Sequence, residues 1–357
     1  MEPELNLLEK SNLSPDTIKN TVLKHYNLQN AKVDIVKFKD TAKQRAVYKV
    51  EDNNNNKCYC LKKVYYDLPD LLYVYSANEW VYRYGIQVPK FIPTINNNRF
   101  VYYSDMLFIL TPWIDGVKCN FDDLNHVILS IKKLANMHLV STDFQPILGS
   151  SYKVGLDDYY ISTLKHFEQL LTISNQAFKY KDDFSKEFIS NFDVNLYLAK
   201  LSLDIAYNID NEDLSTSLCH GDYVNKNIIF TKDLETCIID FDKCKVDYCA
   251  KDLAYFMRRL LKRENTNWNV NLALSIIKNY NEIFKLTPSD LRYLLAYICF
   301  PQKYWRISRD YYRNISKCNK TAFLTLLKNT TSKSITQYNF ALELLMNIKN
   351  EFNILLI

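Results

Sequence analysis

The sequence predicts an α+β protein with two lobes, a small antiparallel β lobe followed by a larger helical lobe. Three observations lead to this fold class. Apolar and polar residues alternate through much of residues 30–112, which is typical of an antiparallel sheet with one buried face. Beyond Gly116, apolar residues instead recur with helical periodicity. A chain of 357 residues is also too long for one small core and suggests about two lobes.

The predicted domain boundaries follow from this change of pattern. A helical segment occupies residues 1–28 and contains a cap at Ser14. The small lobe spans residues 29–112, the connector spans 113–116, and the helical lobe spans 117–357. We expect a cleft between the two lobes, because ligand sites often form where domains meet.

Five strands and one helix are predicted in the small lobe. The segments "KVDIVKFK", "AVYKVED" and "KCYCLKKV" form a meander, with "NNNN" as the second turn. The next segment, "DLPDLLYVYSANEWVYRYG", predicts a helix that is capped near Asp67 and ends at Gly85. The segments "NNNRFVYY" and "MLFILTPWIDG" complete the sheet as two strands joined by a turn near residue 104.

The helical lobe begins with the periodic segment "DDLNHVILSIKKLANMHLVS". Further helices are predicted over 158–172, 183–207 and 249–263, and several more follow toward the C-terminus. One of these has a Thr287 cap, a proline in its first turn and Asp290 at the third helical position. Two short apolar runs, "NIIF" and "CIID", interrupt the helices and predict a small β-hairpin.

Composition excludes several classes of protein. The formal net charge of +5 is mild, and no run of Lys or Arg is typical of a nucleic-acid-binding arm. The longest apolar stretches are about ten residues, too short to cross a bilayer, and the N-terminus lacks the apolar region of a signal peptide. The nine cysteines match no zinc pattern and predict reduced thiols. We therefore expect a cytosolic protein that binds neither nucleic acid nor membrane.

The stretch "CHGDYVNKNIIF", residues 219–230, carries the strongest chemical signal. Asp222 and Asn227 lie five residues apart, and Asp240 follows thirteen later at the end of an apolar strand. Phosphoryl transfer requires a base for the acceptor, oxygen ligands for a metal and a cation on the phosphates. The spacing is that of a kinase catalytic loop and the magnesium-binding Asp after it. Gly221 permits the tight turn that directs Asp222.

These residues carry a resemblance to a known family. The stretches "CHGDYVNKNIIF", "CIIDFD" and "AKDLAYF" resemble the aminoglycoside phosphotransferase and choline kinase group, whose signature is an H-G-D-x-x-x-x-N loop. Three others, at 88–94, 110–116 and 300–314, resemble CotS-type spore coat proteins of endospore-forming bacteria. The resemblance spans roughly residues 30–315. It implies a bilobal protein kinase-like fold, ATP and Mg²⁺ as cofactors, and an unidentified hydroxyl acceptor.

The resemblance assigns a role to individual residues. Asp222 matches the catalytic base, and Asn227 and Asp240 match the metal ligands. Lys62, on the third strand, matches the lysine that contacts the α- and β-phosphates. Glu79 is the best candidate for the ion-pair partner of Lys62, although it could equally be an exposed acid of the helix.

Further roles remain open between two interpretations. The connector places Thr111 and Trp113 where adenine meets backbone groups in this family. Asp252 matches an acid that braces the catalytic loop, but it could instead cap the following helix. Lys63 competes with its neighbour for the phosphate-binding role. His138 is more typical of a packed helix histidine than of a catalytic residue.

Two features depart from the kinase pattern. The loop "KFKDTAKQRAVYK", which would cover the nucleotide, contains no glycine, so its backbone cannot approach phosphates as closely. Lys39, Lys43 and Arg45 could supply charge in place of backbone amides. In addition, Asp242 stands where protein kinases carry a glycine, which argues against a regulated protein kinase.

Two functions therefore compete. The chain is a kinase for a hydroxyl acceptor, or it is a weak or inactive pseudokinase that serves as a structural spore coat protein. The glycine-free loop favours the pseudokinase. The intact acids favour an enzyme, because unpaired buried acids cost several kcal/mol.

The resemblance implies synthesis in the mother-cell cytoplasm and then deposition in the spore coat with other coat proteins. A kinase acting on coat proteins is a third option.

One basic face near the C-terminus is also ambiguous. Arg306, Arg309 and Arg313 follow at helical spacing and share one side of a predicted helix. They could bind an anionic or sugar-phosphate acceptor or a coat partner. They could also form a solvated basic face over aromatic packing.

Overall fold

The computed structural model describes residues 12–39, 41, 44–233 and 235–356. These residues pack into two compact units. Unit 1 consists of the described residues of Met1–Cys119, Asp143–Lys153 and Asn225–Cys244, and unit 2 of Asn120–Thr142, Val154–Val224 and Lys245–Ile357. The predicted lobes are continuous in sequence, whereas the packing units are not. In particular, the segment that carries Asn227 and Asp240 packs with the N-terminal part of the chain.

Unit 1 contains a five-stranded antiparallel sheet, as predicted. Its strands, in chain order, are β1 (Lys32–Lys39), β2 (Arg45–Asp52), β3 (Lys57–Lys63), β4 (Val101–Tyr103) and β5 (Met106–Pro112). They lie side by side in the order β1-β2-β3-β5-β4. The alternating pattern of β2 buries Ala46, Tyr48 and Val50 on one face, where they join the apolar core of the unit. The sheet confirms the predicted meander.

Both helices that the structure describes in unit 1 begin at the predicted caps. Helix α1 covers Pro15–Thr21, and the Ser14 hydroxyl accepts the backbone N–H of Thr17. Helix α2 covers Leu68–Arg83, and Asp67 accepts the N–H of Asp70. A 3₁₀ turn, Leu23–Tyr26, follows α1, so the predicted N-terminal helical segment is interrupted where the structure describes it. Residues 1–11 of that segment lie outside the described residues.

A second, three-stranded sheet completes unit 1. Its strands are β6 (Val117–Lys118), β8 (Ile228–Phe230) and β9 (Thr236–Ile238), in the order β6-β8-β9. Strands β8 and β9 form the predicted hairpin of the two apolar runs. Strand β6 can approach β8 because Gly116 precedes it: a Cβ at Gly116 would overlap the carbonyl oxygen of Phe230.

Unit 2 is mainly helical. Its two strands, β7 (Thr216–Cys219) and β10 (Lys245–Tyr248), pair antiparallel. Its helices are α3 (Leu124–Leu139), α4 (Tyr159–Tyr180), α5 (Asp183–Ser190), α6 (Phe192–Tyr207), α7 (Cys249–Leu261), α8 (Val270–Asn281), α9 (Pro288–Cys299), α10 (Gln302–Arg313), α11 (Lys320–Thr331) and α12 (Ser334–Phe352). The antiparallel sheet of unit 1 and this helical unit confirm the α+β class.

The helix predicted over 183–207 is two helices. The break falls at Asn191, whose side-chain amide donates to the carbonyl oxygen of Glu187 at 3.0 Å and so competes with the helical ladder. The helix predicted over 158–172 is longer and ends at Tyr180. The cap at Thr287 is confirmed, because Thr287 and Asp290 form a reciprocal capping box.

All nine cysteines lie among the described residues and are free thiols, as the sequence predicted. Six of them are buried. Within the part of the chain that the structure describes, no helix is both long and apolar enough to cross a bilayer.

Candidate active site

A cavity of about 270 Å³ lies within unit 1 and gathers most of the predicted site residues. The large sheet contributes Lys62 of β3 and Thr111 of β5, and the β8–β9 hairpin region contributes Asn227 and Asp240. These residues are separated by up to 178 positions in sequence. Packing of the hairpin within unit 1 therefore brings the predicted phosphate-binding lysine and the predicted metal ligands to one cavity.

Lys62 is held by two carboxylates. Its Nζ donates to Oδ1 of Asp240 at 2.7 Å and to Oδ1 of Asp242 at 2.6 Å. Burial alone would lower the pKa of Lys62, but these two acids raise it well above its usual value. The neighbouring Lys63 lies on the other side of the strand and donates to the carbonyl oxygen of Gln44 at 2.9 Å. Of these two neighbouring lysines, Lys62 is thus the one that lines the cavity.

From the sequence, Asp242 was noted only because it stands where protein kinases carry a glycine. In the structure it is a buried member of the site, with 6% of its side chain exposed. Tyr66 donates its hydroxyl to Oδ1 of Asp242 at 3.2 Å. Among the described residues, Oδ2 of Asp242 has no hydrogen-bond partner. In the sequence, the only sign that Asp242 belongs to the site was the segment "IDFD", in which two acids stand two residues apart directly after a strand.

Asn227 and Asp240 lie at the same end of the hairpin, one before its first strand and one after its second. Strands β8 and β9 pair antiparallel, and the backbone N–H of Ile239 donates to the carbonyl oxygen of Asn227 at 2.9 Å. Asp240 then turns into the left-handed region, with φ 70° and ψ 61°. A residue with a Cβ adopts this conformation at a cost, and such residues concentrate at functional sites.

Glu79 does not pair with Lys62 in this structure. The Glu79 carboxylate instead lies 3.9 Å from Arg83, one helical turn along α2. Asn78, one residue earlier and so about 100° around the helix, is the residue of this turn that lines the cavity. The prediction of a Lys62–Glu79 ion pair is therefore corrected: Asp240 and Asp242 hold the lysine.

The predicted connector forms one wall of the cavity. Thr111 lies in β5, within the large sheet. Trp113 follows that strand and extends its pairing with β3, because the backbone N–H of Trp113 donates to the carbonyl oxygen of Cys58 at 2.9 Å. Both residues line the cavity. Apolar side chains, Val47 and Ile109 among them, form the adjoining surface.

The glycine-free loop contributes charge, although only partly through the predicted residues. Arg45 lines the cavity, and its guanidinium stacks 3.7 Å from the centre of the Tyr65 ring. Lys37, two residues before the predicted Lys39, is the lysine of β1 that lines the cavity. Lys43 lies outside the described residues.

Asp222, the predicted catalytic base, belongs to unit 2. Gly221 has φ 72°, a conformation that favours glycine, and turns the chain directly before it. The backbone N–H of Asp222 donates to Nδ1 of His220 at 3.2 Å. The hydroxyl of Tyr255, on α7, lies 3.5 Å from Oδ1 of Asp222. Tyr255 belongs to no motif that could have singled it out from the sequence alone.

Asp252 braces this loop from α7. Its carboxylate accepts the backbone N–H of His220 at 2.6 Å and that of Gly221 at 3.0 Å. It lies within the first turn of α7, whereas Tyr248 occupies the cap position. The bracing interpretation is therefore the one that the hydrogen bonds support, and capping is not the role of Asp252.

His138 packs behind Asp252 in the core of unit 2, as the packed-histidine interpretation expected. Its Nδ1 lies 2.6 Å from the hydroxyl of Tyr280 and its Nε2 lies 3.6 Å from Oδ2 of Asp252. Burial alone would lower the pKa of His138, but Cys219 and Asp252 raise it to about 9. In turn, burial would raise the pKa of Asp252, but His138 and the backbone hydrogen bond from His220 lower it.

Comparison with known proteins identifies the family. A model described as the phosphotransferase enzyme family matches residues 34–276, about two thirds of the chain. The chain belongs to the phosphotransferase enzyme family. The matched residues of this family member include Lys62 and the whole H-G-D loop with the hairpin after it.

Solved structures confirm the kinase-like fold of the family. An aminoglycoside phosphotransferase from Alicyclobacillus acidocaldarius matches with a TM-score of 0.76 and 21% identity, over 92% of this chain and 96% of that one. A spectinomycin phosphotransferase in complex with ADP and spectinomycin matches with a TM-score of 0.58 and 19% identity, over 88% and 96%. An amicoumacin kinase in complex with AMP-PNP and Ca²⁺ matches with a TM-score of 0.56 and 15% identity, over 93% and 96%. At these identities the similarity establishes the fold.

Proposed function

We propose that this phosphotransferase-family chain transfers the γ-phosphoryl group of ATP to a hydroxyl acceptor, with Mg²⁺ as cofactor. The observation that carries the proposal is the position of Lys62, which lines a cavity and contacts Asp240 and Asp242 there. A half-buried lysine beside two acids is the combination that phosphate and a divalent cation would share.

The lining of the cavity suits a nucleotide. Its volume is about 270 Å³, and its apolar wall with a few polar groups resembles that of small-molecule sites in general. Adenine would lie against the wall of Val47 and Ile109, beside the backbone of Thr111 and Trp113. The phosphates would lie toward Lys62. Nucleotides in the solved complexes of the spectinomycin phosphotransferase and the amicoumacin kinase are consistent with this assignment.

Asn227 and Asp240 would hold the magnesium ion. Both residues line the cavity, and their side chains carry oxygens, which are the hard ligands that Mg²⁺ prefers. The buried Oδ2 of Asp242, which lacks a hydrogen-bond partner among the described residues, is a third candidate oxygen. These oxygens fit the ion. When bound, Mg²⁺ neutralises charge on the β- and γ-phosphates.

Asp222 would act as the base. The acceptor oxygen forms a bond to the γ-phosphorus, the bond from that phosphorus to the β,γ-bridging oxygen breaks, and ADP leaves. The hydroxyl proton passes to the Asp222 carboxylate. Asp252 supports this step indirectly, because its two hydrogen bonds to His220 and Gly221 hold the backbone directly before Asp222.

We further propose that the protein is associated with the bacterial spore coat after synthesis in the mother cell. The resemblance of three stretches, 88–94, 110–116 and 300–314, to CotS-type proteins supports this location. Immunodetection of the protein in coat extracts of purified spores, compared with mother-cell cytoplasm, tests it. Its absence from the coat extracts would refute the association.

A second candidate function is that of a pseudokinase retained as a structural coat protein. The glycine-free segment between β1 and β2 favours it, because this loop cannot bring its backbone as close to phosphates as a glycine loop does. The pseudokinase would fold normally but would not bind MgATP productively.

Thermal melting with and without MgATP separates the two functions. A ligand at about 100 times its Kd adds roughly 2.7 kcal/mol and raises Tm by several degrees. We expect this shift for the wild type and its loss in Asp240→Asn. Asp233→Asn is the matched control, because it makes the same change at an exposed position of the same hairpin. A well-folded wild type with no shift at millimolar MgATP would favour the pseudokinase.

A further inference from the structure

A second cavity, of about 370 Å³, lies entirely within unit 2 and is lined by basic residues from three helical regions. Helix α7 and its C-terminal cap, helix α10, and the residue preceding α12 contribute them. The basic lining residues are Arg258, Arg259, Lys262, Lys303, Arg306 and Lys333. Among the described residues that line this cavity, none is an aspartate or a glutamate. We refer to it as the basic cavity.

The charges of the basic cavity are not neutralised by neighbouring acids. Within the described part of the chain, none of its six cations lies within 4 Å of a carboxylate oxygen, whereas Arg309 on the same helix as Arg306 contacts Asp310 at 2.7 Å. Two cations are instead held by neutral partners. Arg258 donates to the hydroxyl of Tyr297 at 2.7 Å and stacks on its ring, and Arg259 donates to the hydroxyl of Tyr255.

Burial and the crowding of like charges in the basic cavity both lower the pKa of Lys262. Burial, together with Lys303, Arg259, Arg258 and Arg306, lowers the pKa of Lys262 to about 8. An amine in such a position repels further positive charge and gains from an anion. Cations that are clustered without counter-charges in a concave site concentrate anions there.

Tyr255 connects the basic cavity to the candidate base. Its ring lines the cavity, and its hydroxyl accepts a hydrogen bond from Nη1 of Arg259 at 2.9 Å. The same hydroxyl lies 3.5 Å from Oδ1 of Asp222. All three residues belong to unit 2. A molecule in the basic cavity would therefore lie one tyrosine away from Asp222.

We propose that the basic cavity binds the acceptor and that this acceptor carries a phosphate group in addition to its reacting hydroxyl. The proposal rests on the proposed phosphotransferase function and names the substrate class of that site. Arg258, Arg259 and Arg306 provide planar donors that match phosphate oxygens. Amine-bearing acceptors such as amino sugars or choline are disfavoured, because the cavity would bring like charges together. The product would carry two phosphate groups.

The three arginines of the basic face of α10 have different surroundings in the structure. Arg306 lines the basic cavity. Arg309 stacks on Trp305, at 4.4 Å from the ring centre, and contacts Asp310, as a packed surface arginine does. Arg313 is exposed and is not among the lining residues. Only one of the three arginines is therefore assigned to the acceptor.

Calorimetric titration with matched probes tests the proposal. The probes are glucose 6-phosphate against glucose, and glycerol 3-phosphate against glycerol, with inorganic phosphate and glucosamine as further arms. At low ionic strength we expect each phosphate ester to bind at least about tenfold more tightly than its phosphate-free partner, since several charge-assisted hydrogen bonds are gained. Glucosamine is expected to bind no better than glucose.

Variants locate the binding. Arg306→Gln and Lys303→Gln remove exposed charges of the basic cavity without disturbing the core, and each is expected to weaken phosphate-ester binding at least about fivefold. Arg313→Gln is the matched control on the same helix and is expected to leave binding unchanged. The proposal is overturned if no phosphate ester binds more tightly than its partner, if glucosamine binds as tightly, or if both cavity variants bind like the wild type.

The same titrations keep this proposal separate from the proposed function. MgATP binding is measured in parallel on each variant. Phosphate-ester binding without MgATP binding supports the basic cavity as an anion site but refutes its assignment to a phosphotransfer acceptor. MgATP binding without phosphate-ester binding leaves the kinase function intact and refutes the acceptor class.

Discussion

The ammonium group of Lys62 lies 2.6 Å from Oδ1 of Asp242, although 180 positions separate the two residues in sequence. Lys62 also donates to Asp240, and the hydroxyl of Tyr66 donates to Asp242. The lysine of this site is therefore held by the segment after the hairpin, and Glu79 of α2 has no part in holding it. This arrangement places the predicted phosphate-binding and metal-binding groups in direct contact within unit 1.

Replacing Lys62 is expected to weaken nucleotide binding. Lys62→Met removes the cation that would contact the phosphates and leaves two neighbouring acids, which repel the polyphosphate. We expect the affinity for MgATP to fall at least about tenfold, since charge-assisted hydrogen bonds contribute about 1.5–3 kcal/mol. The measurement is Kd by calorimetry.

Lys63→Met provides the control for this change. Lys63 is adjacent in sequence, but its Nζ bonds to the carbonyl oxygen of Gln44 and it does not line the cavity. We expect a loss of about 1 kcal/mol of stability and an affinity for MgATP within about threefold of the wild type. Equal losses of affinity in the two variants would contradict the assignment of Lys62.

Asp252→Asn is expected to destabilise unit 2 strongly. The variant keeps the size of the side chain but removes its negative charge. That charge faces the backbone N–H groups of His220 and Gly221 and the ring of His138. Breaking a buried pair by neutralising one partner costs about 3–5 kcal/mol. Denaturant unfolding measures it, and the surface variant Asp233→Asn is expected to unfold like the wild type.

The pH dependence of Asp252→Asn offers a second check. Because the folded-state pKa of Asp252 is lowered, its contribution to stability is present above the unfolded pKa, about 3.9, and is lost as pH falls through the folded value. We expect the wild type to lose stability in this acid range more steeply than Asp252→Asn. Parallel acid profiles would show that Asp252 carries no such charge interaction.

His138 is expected to make stability fall between pH 6.5 and 9. Its folded-state pKa, about 9, lies above the ordinary value of 6.5, so its contribution is complete below 6.5 and is lost as pH rises through 9. Urea unfolding at several pH values measures this loss.

The control for the histidine prediction is His138→Gln. This variant can still bond to Tyr280 but cannot titrate, so its stability profile over the same pH range is expected to be flatter. Other groups contribute equally to both proteins, and the difference between the two profiles isolates His138. Profiles with the same slope would contradict a charged His138 in the folded state.

Lys262 is expected to make phosphate-ester binding depend on pH. Its pKa of about 8 means that it loses its charge as pH rises through 8, while Arg258, Arg259, Arg306 and Lys303 stay charged around it. The affinity for glucose 6-phosphate, which is a dianion throughout this range, should therefore fall severalfold between pH 7.5 and about 9.5. Calorimetry at constant ionic strength measures the change.

Lys262→Arg separates this effect from other titrations. The variant keeps a positive charge that does not titrate in this range. Its affinity for glucose 6-phosphate is expected to change little between the same two pH values. If the wild type and Lys262→Arg show the same pH dependence, Lys262 does not face the ligand.

Much of this protein was determined by the sequence itself. Alternation predicted the strands of unit 1, and the caps at Ser14, Asp67 and Thr287 lie where helices begin. Two short apolar runs, one after Asn227 and one before Asp240, predicted the hairpin that brings these two residues near each other. These features are local, because each depends on residues within a few positions or on one hairpin register.

The tertiary structure decided the partners of those residues. Which carboxylates hold Lys62, and that Glu79 turns toward Arg83, depends on how α2 and the hairpin pack against the large sheet. The basic cavity likewise forms only when α7, α10 and the start of α12 converge. Periodicity fixes which side of an element is apolar, but it carries no information on which distant element covers that side, and contacts across 180 positions are set by the packing of the core.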